Sequence, residues 1–133
     1  MIYIYLDENL SEYVADALNS LNKGYFSDIQ VSSTKVSFGK GIEDEKLIPE
    51  IGKRNGILIT RDINIHRTKL QYELCKQHKL GVFFLSMPKN LSRHWEIALA
   101  LIEHWEEIVK LCQTNKLPFA YRVKMRGKME SLK

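Results

Sequence analysis

Three short runs of almost unbroken apolar residues constrain this chain most: Ile2–Leu6 (IYIYL), Ile57–Thr60 (ILIT) and Gly81–Leu85 (GVFFL). A strand with one wet face alternates apolar and polar side chains. A strand apolar at nearly every position has both faces covered, which is the habit of parallel sheets. Helical patterns lie between the runs. Tyr13, Val14, Ala17, Leu18 and Leu21 form an apolar stripe after a cap at Asn9 or Ser11, and Gly24 ends that helix. A second helix is predicted over Asp44–Arg54, with Pro49 causing a kink or a late start. Tyr72–His78 is predicted helical, and Pro88 and Asn90 precede a long helix over Leu91–Gln113. Asp28–Val31 is a short second strand, and 32–41 is rich in Ser, Gly and Lys and is expected to be a loop. Residues 62–70 fit no single pattern. Pro118–Met125 is the last predicted strand, expected at an edge and antiparallel. Strands alternating with helices then give an α/β fold, a mostly parallel central sheet with helices on both faces.

At 133 residues the chain fits one domain, 1–133, with enough length to bury a core. No run approaches the ~18 apolar residues of a membrane span, so no membrane role is expected. The N-terminus lacks the pattern of a secretory signal. Two cysteines, Cys75 and Cys112, suggest reduced thiols in a cytoplasmic protein. Charge is unevenly placed. Residues 116–133 hold six basic residues against Glu130, net +5; the whole chain carries +4, so the rest carries −1. A basic tail on a near-neutral body suits a polyanion or an acidic partner, or is simply a solvated surface. His94-Trp95-Glu96 recurs as His104-Trp105-Glu106. Ten residues fall about 80° short of three helical turns, so the two copies lie on adjacent faces, and both tryptophans are expected to pack the helix against the sheet rather than to bind bases.

Acidic residues stand where a ligand would be found. In open α/β sheets ligands bind beyond the carboxyl ends of the strands. Asp7 follows the first strand and Asp62 the third, while Glu43-Asp44-Glu45 begins a helix. Each has a plain structural role: Asp7-Glu8-Asn9 as a helix cap, Glu43-Asp44-Glu45 as a complement to the helix dipole, Asp62 as a turn residue. Together they suggest a hard-oxygen site for Mg²⁺ or Mn²⁺, since converging carboxylates repel unless a cation sits among them. On that view Asp7→Asn would even raise stability without metal. Other chemistries lack their motifs: Cys75-x-x-His78 is half a zinc pattern, Gly39-Lys40-Gly41 is no phosphate loop, and His66 is expected as a surface histidine.

The segments LDENL, GKGIEDEKLIPE and LITRDINIHR, followed by GVFFL and PFAYRV, resemble in order and spacing the PIN-like domain family. The branch they resemble is the small stand-alone proteins associated with VapC-type toxins. The resemblance implies an α/β/α sandwich and Mg²⁺- or Mn²⁺-dependent cleavage of RNA. It implies metal ligation by Asp7, Asp44 and Asp62, with Thr60 as the threonine of the T-x-D motif, holding Asp62 or a water. Lys40, Arg61 and Arg67, beside the acidic motifs, are expected to grip RNA phosphates. A small antitoxin protein is the implied partner, and a homodimer is compatible with it. The pattern departs at Asn64, where many relatives carry a further aspartate; Glu8, Glu45 or Glu73 are the available substitutes. The alternative is a non-catalytic PIN-like module that binds a protein or nucleic-acid partner.

Overall fold

The structure is a computed structural model that describes residues 1–132. The chain runs β1 (Ile2–Leu6), α1 (Glu12–Asn22), β2 (Ile29–Ser33), α2 (Thr34–Phe38), α3 (Asp44–Lys53), β3 (Ile57–Arg61), α4 (Ile65–Gln77), β4 (Gly81–Ser86), a short 3₁₀ turn at Lys89–Leu91, α5 (His94–Thr114), β5 (Phe119–Lys124) and β6 (Glu130–Ser131). The six strands form one sheet in the order β2-β1-β3-β4-β5-β6. The four pairings from β2 to β5 are parallel, and only β6 runs antiparallel, against β5.

Side-chain alternation divides the core into two layers. Ile4, Leu6, Ile57, Ile59, Phe83 and Leu85 face α1 and α5, packing on Val14, Leu18, Leu101 and Ile108. Tyr5, Leu58, Val82 and Phe84 face α3 and α4, packing on Leu47, Ile48, Ile51 and Cys75. Both faces of the central strands are therefore dry, as their unbroken apolar runs require. Gly81 is fixed by packing rather than by its backbone: a Cβ there would lie 2.4 Å from the Phe119 ring on β5.

Local capping sets the helix boundaries. Ser11, not Asn9, caps α1 by accepting from the Tyr13 amide at 3.1 Å. The polar stretch expected as loop holds α2, capped by Ser33. α3 starts at Asp44 and runs on through Pro49 without a delayed start. Pro49 removes only the bond to the Glu45 carbonyl, and Glu45 is exposed, so water can satisfy it. β5 is parallel to β4 because the 21 residues of α5 make a full crossover between them. The antiparallel edge falls instead on β6, one hairpin later.

The tryptophans of the near-repeat divide. Trp105 is 6% exposed and donates its Nε1–H to Asn22 Oδ1 at 2.7 Å, tying α5 to α1. Trp95 is 75% exposed on the same helix, so only one of the two packs as expected. Cys75 and Cys112 are free and buried. Burial holds both thiols in the protonated form, pushing that of Cys112 up to about 12. Among the described residues no helix is long and apolar enough to cross a membrane.

Candidate functional site

The sheet changes direction at β1, which pairs with β2 on one side and β3 on the other. Such a switch point opens a crevice beyond the carboxyl ends of the strands. Asp7 stands in it. Its amide continues the ladder to the Ile59 carbonyl at 2.9 Å, one step beyond the Leu6–Ile59 pair. That step sets Asp7 beside Thr60, and both alternate onto the face covered by α3 and α4. Thr60, fully buried, donates its hydroxyl to Asp7 Oδ2 at 2.7 Å and accepts from Gln71 Nε2 at 3.4 Å. Asp7 Oδ1 accepts from the Glu8 amide at 2.8 Å. The threonine thus holds Asp7, not Asp62 as the motif implied, because register makes Asp7 its cross-strand neighbour.

Asp44 approaches from α3. It is the first residue of the helix and is buried at 9% exposure. Between it and Asp7 lies the guanidinium of Arg67, from the first turn of α4. Arg67 Nη2 donates to Asp7 Oδ2 at 3.1 Å and to Asp44 Oδ1 at 3.3 Å; its Nε donates to Asp44 Oδ2 at 3.1 Å. The hydrogen bonds to Asp44, helped by the charges of both aspartates, hold the guanidinium above its ordinary pKa against partial burial. Arg67, expected as a phosphate contact, is the counter-ion of the carboxylate pair.

Asp62 stands apart from that pair. It faces the same layer, one alternation beyond Thr60, but accepts from the Thr68 hydroxyl at 3.0 Å and lies 3.6 Å from Arg122 Nε. Arg67 and Thr68 are adjacent, so the start of α4 divides the three aspartates, two on one side and one on the other. Glu8, Glu45, Asp44 and Arg67 line the cleft over the pair, about 480 Å³ in volume. Gly41, at φ 77°, donates its amide to the Glu8 carboxylate and so closes the loop before α3 against the end of β1. Glu73 is exposed on α4 and does not line this cleft. A second cleft of about 560 Å³ lies on the other side, lined by Asp62, Thr68, Lys69, Tyr72 and Arg122 among others. Lys40 and His66 are exposed and Arg61 is half-buried.

Asn64 has a structural role in place of an acid. Its Oδ1 accepts from the amides of His66 and Arg67 at 3.0 and 3.1 Å and caps α4. Asn64→Ala is expected to cost about 1 kcal/mol, with Asn64→Asp nearly neutral because aspartate caps as well. Urea midpoints of the two variants check this; equal losses would show that the cap is not what matters.

The donor chemistry can be tested against a divalent ion. Asp7 and Asp44 are hard-oxygen donors that already converge on one cationic group, and Mg²⁺ is commonly held by one or two carboxylates with waters and substrate phosphates. The pair therefore fits such an ion in place of the guanidinium, not alongside it. Among the described residues no group of three or more His, Cys, Asp or Glu side chains is placed to hold a metal.

Lys69 and Tyr72 were not legible as site residues, since they fall on the stretch without a clear pattern or just after it. Arg122 had a signal, its place in the basic tail. In that tail Glu130 draws Arg122 and Lys124 to 3.7 and 3.9 Å, while Lys116, Arg126 and Lys128 stay exposed. Comparison with known proteins gives one match by family: the model described as PIN-like domain matches residues 2–87, from β1 to just past β4. Comparison with curated proteins and with solved structures gives no match.

Proposed function

This chain belongs to the PIN-like domain family, a nuclease-type fold, and from that premise we propose that it is a metal-dependent endoribonuclease, the toxin of a type II toxin–antitoxin pair. The observation that supports it best is the meeting of Asp7 and Asp44 on one cationic group at the sheet's switch point. Resemblance to the VapC-type branch supports the toxin role and a small antitoxin as partner.

In this reading Asp7 and Asp44 hold a Mg²⁺ or Mn²⁺ ion. When bound, such an ion makes a coordinated water more acidic and offsets charge growing on the scissile phosphate. Thr60, itself bonded by Gln71, fixes Asp7 by the same carboxylate oxygen that meets Arg67. Glu45, exposed at the start of α3, lines the same space and can take a proton from water there. Lys40 and Arg61 flank the acidic motifs and serve phosphates on either side. Lys69 and Arg122 do so in the neighbouring cleft, where the Tyr72 ring offers a stacking face to an unpaired base. Asp62 lines that second cleft and is the third candidate ligand.

A second reading, a non-catalytic module that binds a protein or nucleic acid, is favoured by one observation: Arg67 already occupies the space between the two carboxylates. Labelled single-stranded RNA and DNA, with Mn²⁺ or with chelator, separate the two. The expected result is Mn²⁺-dependent cleavage of RNA that Asp44→Asn lowers by at least about a hundredfold, with Asp62→Asn losing less. RNA retained but uncut at every metal concentration would establish the module.

A further inference from the structure

The feature that the proposed chemistry leaves unexplained is Arg67. Its guanidinium spans two carboxylates from different elements with three hydrogen bonds, at 3.1, 3.1 and 3.3 Å. Both acids are buried, with side chains 3% and 9% exposed, whereas the Arg67 side chain is 35% exposed. The acids are therefore fixed and the cation between them is reachable from solvent. Asp7 is held by Thr60 and by the Glu8 amide, and Asp44 by the helix that it begins. Arg67 is the third residue of α4 and lines the cleft it shares with Glu8, Asp44 and Glu45.

We propose that Arg67 is a resident cation that the divalent ion must displace, and that a nucleic-acid phosphate is the group that draws it away. This rests on the cation-site reading of Asp7 and Asp44 given above. The physical reasons are few. Two cations cannot share the space between the same carboxylate oxygens, so Arg67 and the ion exclude each other. A guanidinium leaving two carboxylates needs another bidentate anion to offset the loss, and a phosphate offers the same fork of oxygens. A side chain one-third exposed at the mouth of a cleft can turn to such a phosphate without unfolding its helix. Metal and RNA then bind with positive coupling: each is weak alone, and each strengthens the other by the same factor, as linkage demands. The chain keeps the space between its acidic pair filled, one of their two charges offset, until a polyanion arrives.

The experiment is a calorimetric Mn²⁺ titration of the parent, Arg67→Gln and Arg67→Lys, with and without a nuclease-resistant phosphorothioate RNA oligonucleotide. The parent is expected to bind Mn²⁺ weakly alone and at least about tenfold more tightly with the oligonucleotide. Arg67→Gln is expected to bind Mn²⁺ tightly without the oligonucleotide, and to gain little from it. Arg67→Lys keeps a charge between the aspartates but cannot fork across both, so it folds and falls between the two. Should Arg67→Gln be too unstable to titrate, the lysine variant and the parent still give the coupling. A parent that binds Mn²⁺ as tightly as its Arg67 variants, with no gain from the oligonucleotide, overturns the displacement while leaving the metal-site reading intact. No Mn²⁺ binding by any of the three at millimolar concentration overturns both.

Discussion

Asp7→Asn will lower stability by about 1–3 kcal/mol, the reverse of what a repulsive acidic cluster would give. The sequence shows three aspartates and invites the argument that removing one relieves repulsion. The structure supplies the missing positive charge. Asp7 uses both oxygens: Oδ1 accepts from the Glu8 amide, and Oδ2 accepts from the Thr60 hydroxyl and from Arg67 Nη2. An amide has one acceptor oxygen. If it serves Glu8, its NH₂ faces the guanidinium and the threonine hydroxyl. If it is turned over, its NH₂ meets the Glu8 amide. Either way two donors confront each other at a site only 2% exposed. Partial exposure of Arg67 and its second partner, Asp44, keep the loss below that of a fully buried pair. Urea unfolding in chelator, so that no metal contributes, measures it. A midpoint above the parent's would mean that Arg67 does not bridge the two carboxylates in solution.

The same site shows what can be read from the residues and what cannot. Continuous apolar runs made the central strands legible, because nothing but a sheet covered on both faces hides IYIYL and GVFFL. Parallel pairing of β1 with β3 then placed Asp7 and Asp62 at the same sheet edge, as expected. The start of α4 was not legible. Ile63 and Ile65 there are apolar but exposed, so the stretch lacks a helical stripe. Its true marker was Asn64, a strong capping residue that reads as a missing acid when attention is on metal ligands. Missing α4 meant missing where Arg67 and Thr68 point, and with them the division of the three aspartates. β6 is two residues long, too short for any periodic signal, and α2 has only five residues in a polar stretch. Charge counts along a chain cannot show pairing. Which cation meets which anion depends on the register and on the caps, and both are properties of the folded backbone.

Trp105 will prove the costlier of the two tryptophans to lose, by a wide margin. It sits between α5 and α1 on the sheet face opposite the acidic cleft, packed in the layer with Leu18 and Leu101. Trp105→Ala removes a large buried ring and is expected to cost about 3–5 kcal/mol, a large share of a typical domain's stability. Trp105→Phe separates the ring from the hydrogen bond. It leaves Asn22 Oδ1 without its donor, next to an Asn22 amide nitrogen that already lacks a partner, and is expected to cost about 1–3 kcal/mol. Trp95→Ala, at a position exposed to solvent, should stay within about 0.5 kcal/mol. Because the sheet lies between this layer and Asp7, any RNA cleavage measured for the parent should be kept by the folded fraction of each variant. The contrast is a test of the α1–α5 packing itself: equal losses at 95 and 105 would mean that the helix is rotated from the orientation that buries Trp105 and joins it to Asn22.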